Sequence, residues 1–382
     1  MSPLDSDVLP EGVRSRFVDD VNGLRMHVLE AGFEGAEGAG RPLLLLLHGF
    51  PELAYSWRKV MPGLARAGYH VVAPDQRGYG RTTGWDPAYD GDLASYRMAN
   101  LARDAFGLVR ALGHARVACV VGHDFGASVA AWSALIRPDI FASVVLMSAP
   151  FTGPPALPAK PASGDIDADL AALERPRKHY QRYYSTRDAG ADMHRAPQGV
   201  HDFLRAYYHH KSADWPGNKP FALAGWTAAE LAKMPTYYVM DHAHGMAATV
   251  AAEMPAPAEI AACRWLSAVE LAVYSGEFAR TGFQGGLQWY RCRFEERFTR
   301  EQQVYAGRTI DIPAMFVAGR QDWGIQQSPG ALERMQRQAC TDMGPPVLID
   351  GAGHWVQQEQ PQAVTAALLA FLGRLPPAPP GA

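Results

Sequence analysis

Apolar positions along the chain fall into two alternating patterns. Short, nearly unbroken apolar runs appear as RPLLLLLHG, YHVVAPDQRG, RVACVVGHD and SVVLMSAP, each closing on Gly, Asp, Pro or Ser. Between them lie longer segments with apolar residues every three or four positions, such as SWRKVMPGLARAG and MANLARDAFGLVRALG, each ending at a glycine. Runs that are apolar on every position suit strands covered on both faces, and helical spacing between such runs predicts βαβ units on a parallel sheet. Upstream, residues 15–31 (SRFVDDVNGLRMHVLEA) predict two strands turning at Asn22-Gly23.

The pattern changes after Pro150. PFTGPPALPAKPASG has no periodicity, and the stretch to about Tyr305 is rich in Tyr, Trp and His at helical spacing. Strand-type runs resume only at AMFVAGRQD and PVLIDGAGH, followed by a last helical pattern, QAVTAALLAFLGRL. This organisation predicts an α/β core made of residues 1–150 and 306–382, interrupted by a mainly helical insertion, 151–305. The end of the chain, PPAPPGA, reads as loose.

Composition narrows the picture. The chain has 382 residues, 48% hydrophobic and 20% charged, which is the balance of a folded domain with a large core. Lys plus Arg is 36 against 39 for Asp plus Glu, and no basic stripe is visible, so nucleic acid is not an expected partner. The cysteines Cys119, Cys263, Cys292 and Cys340 are scattered without metal spacing, as free thiols in a reducing compartment would be. The N-terminal stretch has no apolar signal region, and no apolar run approaches the roughly 20 residues that span a bilayer. A cytoplasmic protein is expected. The histidines of YYHH and DHAHG lack a recognisable ligand spacing, so no metal site is assigned to them.

The candidate chemistry centres on Val121-Gly122-His123-Asp124-Phe125-Gly126-Ala127. A strand leads into a turn of small residues and then a helix, the outline of a nucleophile elbow, but with aspartate where serine commonly stands. Gly122 and Gly126 flank the bend as if no Cβ could be accommodated there. A carboxylate is ionised at neutral pH and can displace a leaving group from an sp³ carbon, giving an ester that water can afterwards cleave. As a structural residue, Asp124 would simply cap the helix. Two other segments favour chemistry. Leu47-His48-Gly49-Phe50-Pro51-Glu52 follows the LLLLL strand, where the N–H of Phe50, with that of Phe125, can hold an oxyanion. Asp322 follows one late strand and His354 the next, so the chain order nucleophile, acid, histidine is that expected for a hydrolytic triad.

With HGFPE, DQRGYGRT, GHDFGA, GRQD and GHW in this order, the chain resembles the α/β-hydrolase superfamily. The aspartate narrows the resemblance to the branch of epoxide hydrolases and haloalkane or haloacid dehalogenases. That resemblance implies a mostly parallel sheet with an inserted helical cap, no cofactor, and an epoxide and water as reactants. Haloalkane dehalogenases usually carry Trp directly after the nucleophile, where Phe125 stands. Fluoroacetate dehalogenases place arginines beside it, and none follows Asp124 before Arg137. Epoxide hydrolases instead hang two tyrosines from the cap. By resemblance Tyr290, in TGFQGGLQWYR, is one of them, and Tyr180, in HYQRYY, is the other, with Tyr184 and Tyr238 as alternatives. Trp57, Trp289 and Trp355 stand beside motif residues and are candidates for walling an apolar substrate pocket. The expectation is an epoxide hydrolase acting on a small apolar epoxide. A hydrolytic dehalogenase with the same triad is the closest rival, and a non-catalytic ligand-binding scaffold is the remote one.

Overall fold

The hairpin forms at the predicted turn. Strands β1 (Val13–Val21) and β2 (Leu24–Ala31) pair antiparallel, with Asn22 at φ 51° and Gly23 at φ 79°. Two successive left-handed residues are what a two-residue turn of matching twist requires, and Asn-Gly adopts them at least cost. The computed structural model describes residues 1–34, 40–158 and 164–375. Part of the Pro-rich connector and the PPAPPGA end lie outside the described residues.

The apolar runs become β3 (Leu43–Leu47), β4 (His70–Pro74), β5 (Cys119–His123) and β6 (Val144–Met147). After a separate two-stranded ribbon, β7 (Arg177–His179) and β8 (Val239–Asp241), β9 (Ala314–Gly319) and β10 (Val347–Ile349) complete one eight-stranded sheet. Its order is β1-β2-β4-β3-β5-β6-β9-β10, parallel from β4 to β10. Every residue of β3, β5 and β9 is buried, because helices cover both faces. At roughly 1.5–3 kcal/mol per fully buried leucine, the five of β3 contribute on the order of 10 kcal/mol of gross hydrophobic stabilisation, an upper bound given a compact unfolded chain. The carboxyl ends of β3, β5, β9 and β10 open onto one edge of the sheet, where ligands of such sheets collect.

One predicted helix is broken. SWRKVMPGLARAG forms a 3-10 turn, Ala54–Trp57, and a separate helix, Met61–Arg66. Pro62 explains the restart, since proline lacks a helical N–H donor and is accommodated in a first turn.

Between β6 and β9 the chain builds helices that include Gly199–Lys211, Ala268–Thr281 and Gln284–Phe294. It also builds an antiparallel ribbon of β7 (Arg177–His179) and β8 (Val239–Asp241), which the helical reading of this stretch did not anticipate. Three-residue strands are too short to show a period of two. The Gln284–Phe294 helix sits directly on the core, where a Cβ on Gly285 would lie 2.2 Å from the Gly78 carbonyl oxygen. Only glycine permits that approach.

Candidate active site

Asp124 stands at the end of β5 and heads the helix Phe125–Ile136. Its backbone has φ 53° and ψ −121°, a region that costs a non-glycine residue of order 1–3 kcal/mol. The flanking glycines make the bend possible. A Cβ on Gly122 would meet the Gly126 carbonyl oxygen at 2.1 Å, and one on Gly126 would meet the Leu47 and His48 carbonyl oxygens at 2.4 Å. Gly49 is needed for the same reason, since its Cβ would strike the Asp124 side chain at 2.4 Å.

The late loops converge on this carboxylate. The Phe50 N–H donates to Asp124 Oδ1 at 3.0 Å, and His354 Nε2 lies 3.5 Å from Oδ2. His354 Nδ1 faces both oxygens of Asp322 at 3.2 Å, while Asp322 also accepts from the Gly324 N–H at 2.6 Å. That contact fixes the imidazole with Nδ1 as donor, leaving Nε2 free to accept a proton. Burial alone would raise the Asp124 carboxyl, but His354, then Lys211 and His123, outweigh it and hold it well below the usual range. Burial likewise opposes ionisation of Asp322, and His354 again reverses the sign, keeping it low. Both carboxylates are ionised at neutral pH.

Three residues with no assigned role in the sequence reading complete this arrangement. His123 Nδ1 donates to Glu52 Oε2 at 2.5 Å and its Nε2 donates to the His354 carbonyl at 2.7 Å. A histidine donating from both nitrogens is an imidazolium. Although burial would lower its pKa, Glu52 and Asp124 raise it. Glu52 and His123 sit inside the HGFPE and GHDFGA motifs, yet nothing local says that they meet. Lys211 is the third. It is 2% exposed, its ammonium lies 4.8 to 5.7 Å from the ring centroids of Tyr238, Trp355, Tyr207 and Tyr237, and its carbonyl accepts the His354 N–H at 2.9 Å. Burial lowers its pKa, and Asp124, Asp322 and Glu52 act against that. No sequence signal marked it.

A cleft of about 150 Å³ leads from Asp124 to the surface. Phe125, Tyr180 and Tyr290 line it with Asp124. The Tyr180 hydroxyl donates to Gln327 Oε1 at 3.1 Å and accepts from Gln181 Nε2 at 3.0 Å. Tyr290 packs edge-on against Phe125, with ring centroids 5.1 Å apart. Burial, followed by the charge of Asp124, pushes both phenols upward, so both remain protonated donors. The alternatives lie elsewhere. Tyr184 directs its hydroxyl to Tyr207 at 3.0 Å, and Tyr238 packs beside Lys211; neither lines the cleft.

The structure does not bring the three predicted tryptophans to the cleft. Trp57 is fully buried, Trp289 donates its indole N–H to the Arg77 carbonyl at 3.0 Å, and Trp355 donates to the Tyr208 carbonyl at 2.8 Å. Adjacency to a motif fixes sequence distance only, and these indoles turn inward to fill the core. The lining is also more polar than an apolar pocket would be: Ser128, Thr152, Gln181, Gln327, Arg293 and Arg334 all contribute to it. Among the described residues, no helix is long and apolar enough to cross a membrane.

Fold and site together define an α/β hydrolase whose elbow carries a carboxylate. A family model described as the alpha/beta hydrolase fold matches residues 42–212. Epoxide hydrolase A of Mycobacterium tuberculosis is 37% identical over 360 residues, covering 92% of this chain and 95% of that one. Among solved structures, an epoxide hydrolase from an endophytic Streptomyces superposes with a TM-score of 0.75 at 31% identity, covering 95% of this chain and 96% of that one. Epoxide hydrolase A from Mycobacterium thermoresistibile gives 0.72 at 34% identity, with 96% and 100% covered. The chain belongs to the epoxide hydrolase family of α/β hydrolases.

Proposed function

We propose that the protein hydrolyses an epoxide to a vicinal diol through an ester of Asp124, without a cofactor. The observation that carries this reading is the sharing of one cleft by an ionised elbow carboxylate and two buried, protonated tyrosines. Residues 151–305 act in it as the cap over a core of residues 1–150 and 306–382.

Asp124 Oδ2 attacks one epoxide carbon, the ring C–O bond breaks, and the electron pair leaves with the oxygen. Tyr180 and Tyr290 donate to that developing alkoxide, which otherwise leaves poorly. Oδ1, already held by the Phe50 N–H, becomes the ester carbonyl oxygen. Water then attacks the carboxyl carbon as His354 takes its proton, Asp322 stabilises the imidazolium, and the N–H groups of Phe50 and Phe125 receive the oxyanion. Collapse passes the His354 proton to the departing alkoxide, the remaining water proton restores the tyrosine that protonated the first alkoxide, and one oxygen from water stays on Asp124.

Repeated turnover in heavy-oxygen water should therefore place label in the Asp124 carboxylate, read by mass spectrometry of the peptide. Label appearing in the diol from the first turnover, with Asp124→Asn fully active, refutes the ester route. A halide-releasing alternative has less support, because among the described residues no indole N–H lines the cleft. Four free cysteines, three of them buried, support a reducing compartment, and we place the protein in the cytoplasm on that ground.

A further inference from the structure

The sequence places no arginine close after Asp124, and Arg137 is occupied by Asp139 at 2.6 Å. The fold nevertheless delivers two arginines to the cleft that ends at Asp124, namely Arg293 and Arg334. Arg293 lies three residues beyond Tyr290 on the helix Gln284–Phe294, so it shares that tyrosine's face one turn further on. Arg334 closes the short helix Ala331–Arg334, which follows β9 in the chain, and its Nη1 donates to the Pro329 carbonyl at 3.3 Å.

Their charge is not matched locally. Several exposed arginines elsewhere in the chain have carboxylate partners, among them Arg182 with Asp167 at 2.8 Å, Arg175 with Asp241 at 2.7 Å and Arg300 with Glu296 at 2.5 Å, while others, such as Arg337, have none among the described residues. Among the described residues, Arg293 and Arg334 form no such pair. Asp124 is the one carboxylate among the described residues that lines the cleft; it is buried and already engaged by Phe50 and His354. The neutral side chains of Gln181 and Gln327 line the same cleft and bond to the Tyr180 hydroxyl.

We propose that Arg293 and Arg334 form an anion subsite at the mouth of the cleft, and that the preferred substrate is an epoxide carrying a carboxylate at its far end. This inference rests on the epoxide-hydrolase reading of the same cleft. Guanidinium groups recognise carboxylates through paired N–H donors, and two of them beside a narrow opening also steer an anion inward. The anion then sits at the rim while the apolar part of the chain, with the epoxide, reaches the aromatic base formed by Phe125, Tyr180 and Tyr290.

The test compares terminal epoxides of matched chain length as the free carboxylate and as the methyl ester, for chains of six and eleven carbons. At low ionic strength, kcat/KM for the acid should exceed that for the ester at least tenfold at one of these lengths, mainly through KM. The ratio should fall severalfold in Arg293→Gln and in Arg334→Gln, reach about one in the double variant, and shrink on adding salt to 0.5 M. A ratio of one or less in the natural protein, or a ratio that the double variant leaves intact, overturns the subsite. If no epoxide of either kind is turned over, the functional reading fails, and calorimetry with hexanoate against hexanamide still decides the subsite. Binding of hexanoate that the double variant loses supports it, and equal binding of both molecules overturns it.

Discussion

The carboxyl edge of the sheet and the inserted segment above it contribute to the same cleft by different physical means. At the sheet edge, position is enforced by backbone. Gly122, Gly126 and Gly49 admit main-chain atoms where no Cβ fits, and Asp124, His354 and Asp322 are tied by bonds from turns a few residues long. In the inserted segment, position is enforced by packing. Tyr290, Tyr180 and Lys211 come from separate elements and are held by aromatic edges and burial. A site built from turns is specified locally, whereas one built from packed rings depends on every neighbour being in place.

The largest expected effect separates chemistry by region. Asp124→Ala should lower kcat by about 10⁴-fold or more, because the covalent route is lost. His354→Gln should instead form the ester and stall, so intact-protein mass spectrometry after mixing with epoxide should show a stoichiometric adduct. Absence of that adduct in His354→Gln would put the histidine before, not after, ester formation.

Tyrosine variants probe the packed side. Tyr290→Phe and Tyr180→Phe should each reduce the rate of ester formation by about 10² to 10³-fold, the range for a positioned proton donor, with thermal midpoints little changed. Tyr184→Phe, which loses only a hydroxyl bonded to Tyr207, should leave ester formation within a few-fold of normal in single-turnover experiments.

Two glycines give a direct contrast in stability. Gly126→Ala places a methyl 2.4 Å from two carbonyl oxygens inside the elbow and should cost several kcal/mol, seen as loss of folded protein on denaturant titration. Gly285→Ala meets the Gly78 carbonyl at 2.2 Å, but the helix it belongs to can lift away. Its expected signature is a smaller loss of stability with a rate defect like that of Tyr290→Phe.

The smallest effect concerns pH. Burial lowers His210 to about 3 and His179 to about 4, so in the folded protein both are neutral where the unfolded chain is protonated. Their contribution is complete above the unfolded value near 6.5 and is lost as pH falls from there toward 4. Each histidine should add about 1.4 kcal/mol of destabilisation per pH unit in that window. His210→Phe, whose ring is packed between Trp215 and Tyr237, should flatten the slope by about one proton in denaturant titrations run from pH 7 to 4.

Much of the fold was legible because its signals are local. The sheet followed from apolar runs, and the hairpin from Asn22-Gly23. The ribbon Arg177–His179 with Val239–Asp241 was missed because three residues carry no period, and the helix at 56–68 broke because Pro62 restarts it. At the site, the elbow, the Phe50 turn and the late Asp and His were each readable as a residue type after a strand. Glu52 and His123 were visible within motifs, but the 2.5 Å contact between them was not.

The sequence by itself determined the reaction class. An aspartate at an elbow, with a candidate oxyanion turn, an acid and a histidine in order, carries the proposal of attack on an alkyl carbon followed by ester hydrolysis, because each part lies within a few residues of a strand end. Only the tertiary structure decided which tyrosines line the cleft, that Trp57, Trp289 and Trp355 do not, and that Arg293 and Arg334 share it. Those outcomes depend on where a side chain turns when distant segments pack. That direction is set by the whole core, and no short stretch of sequence contains it.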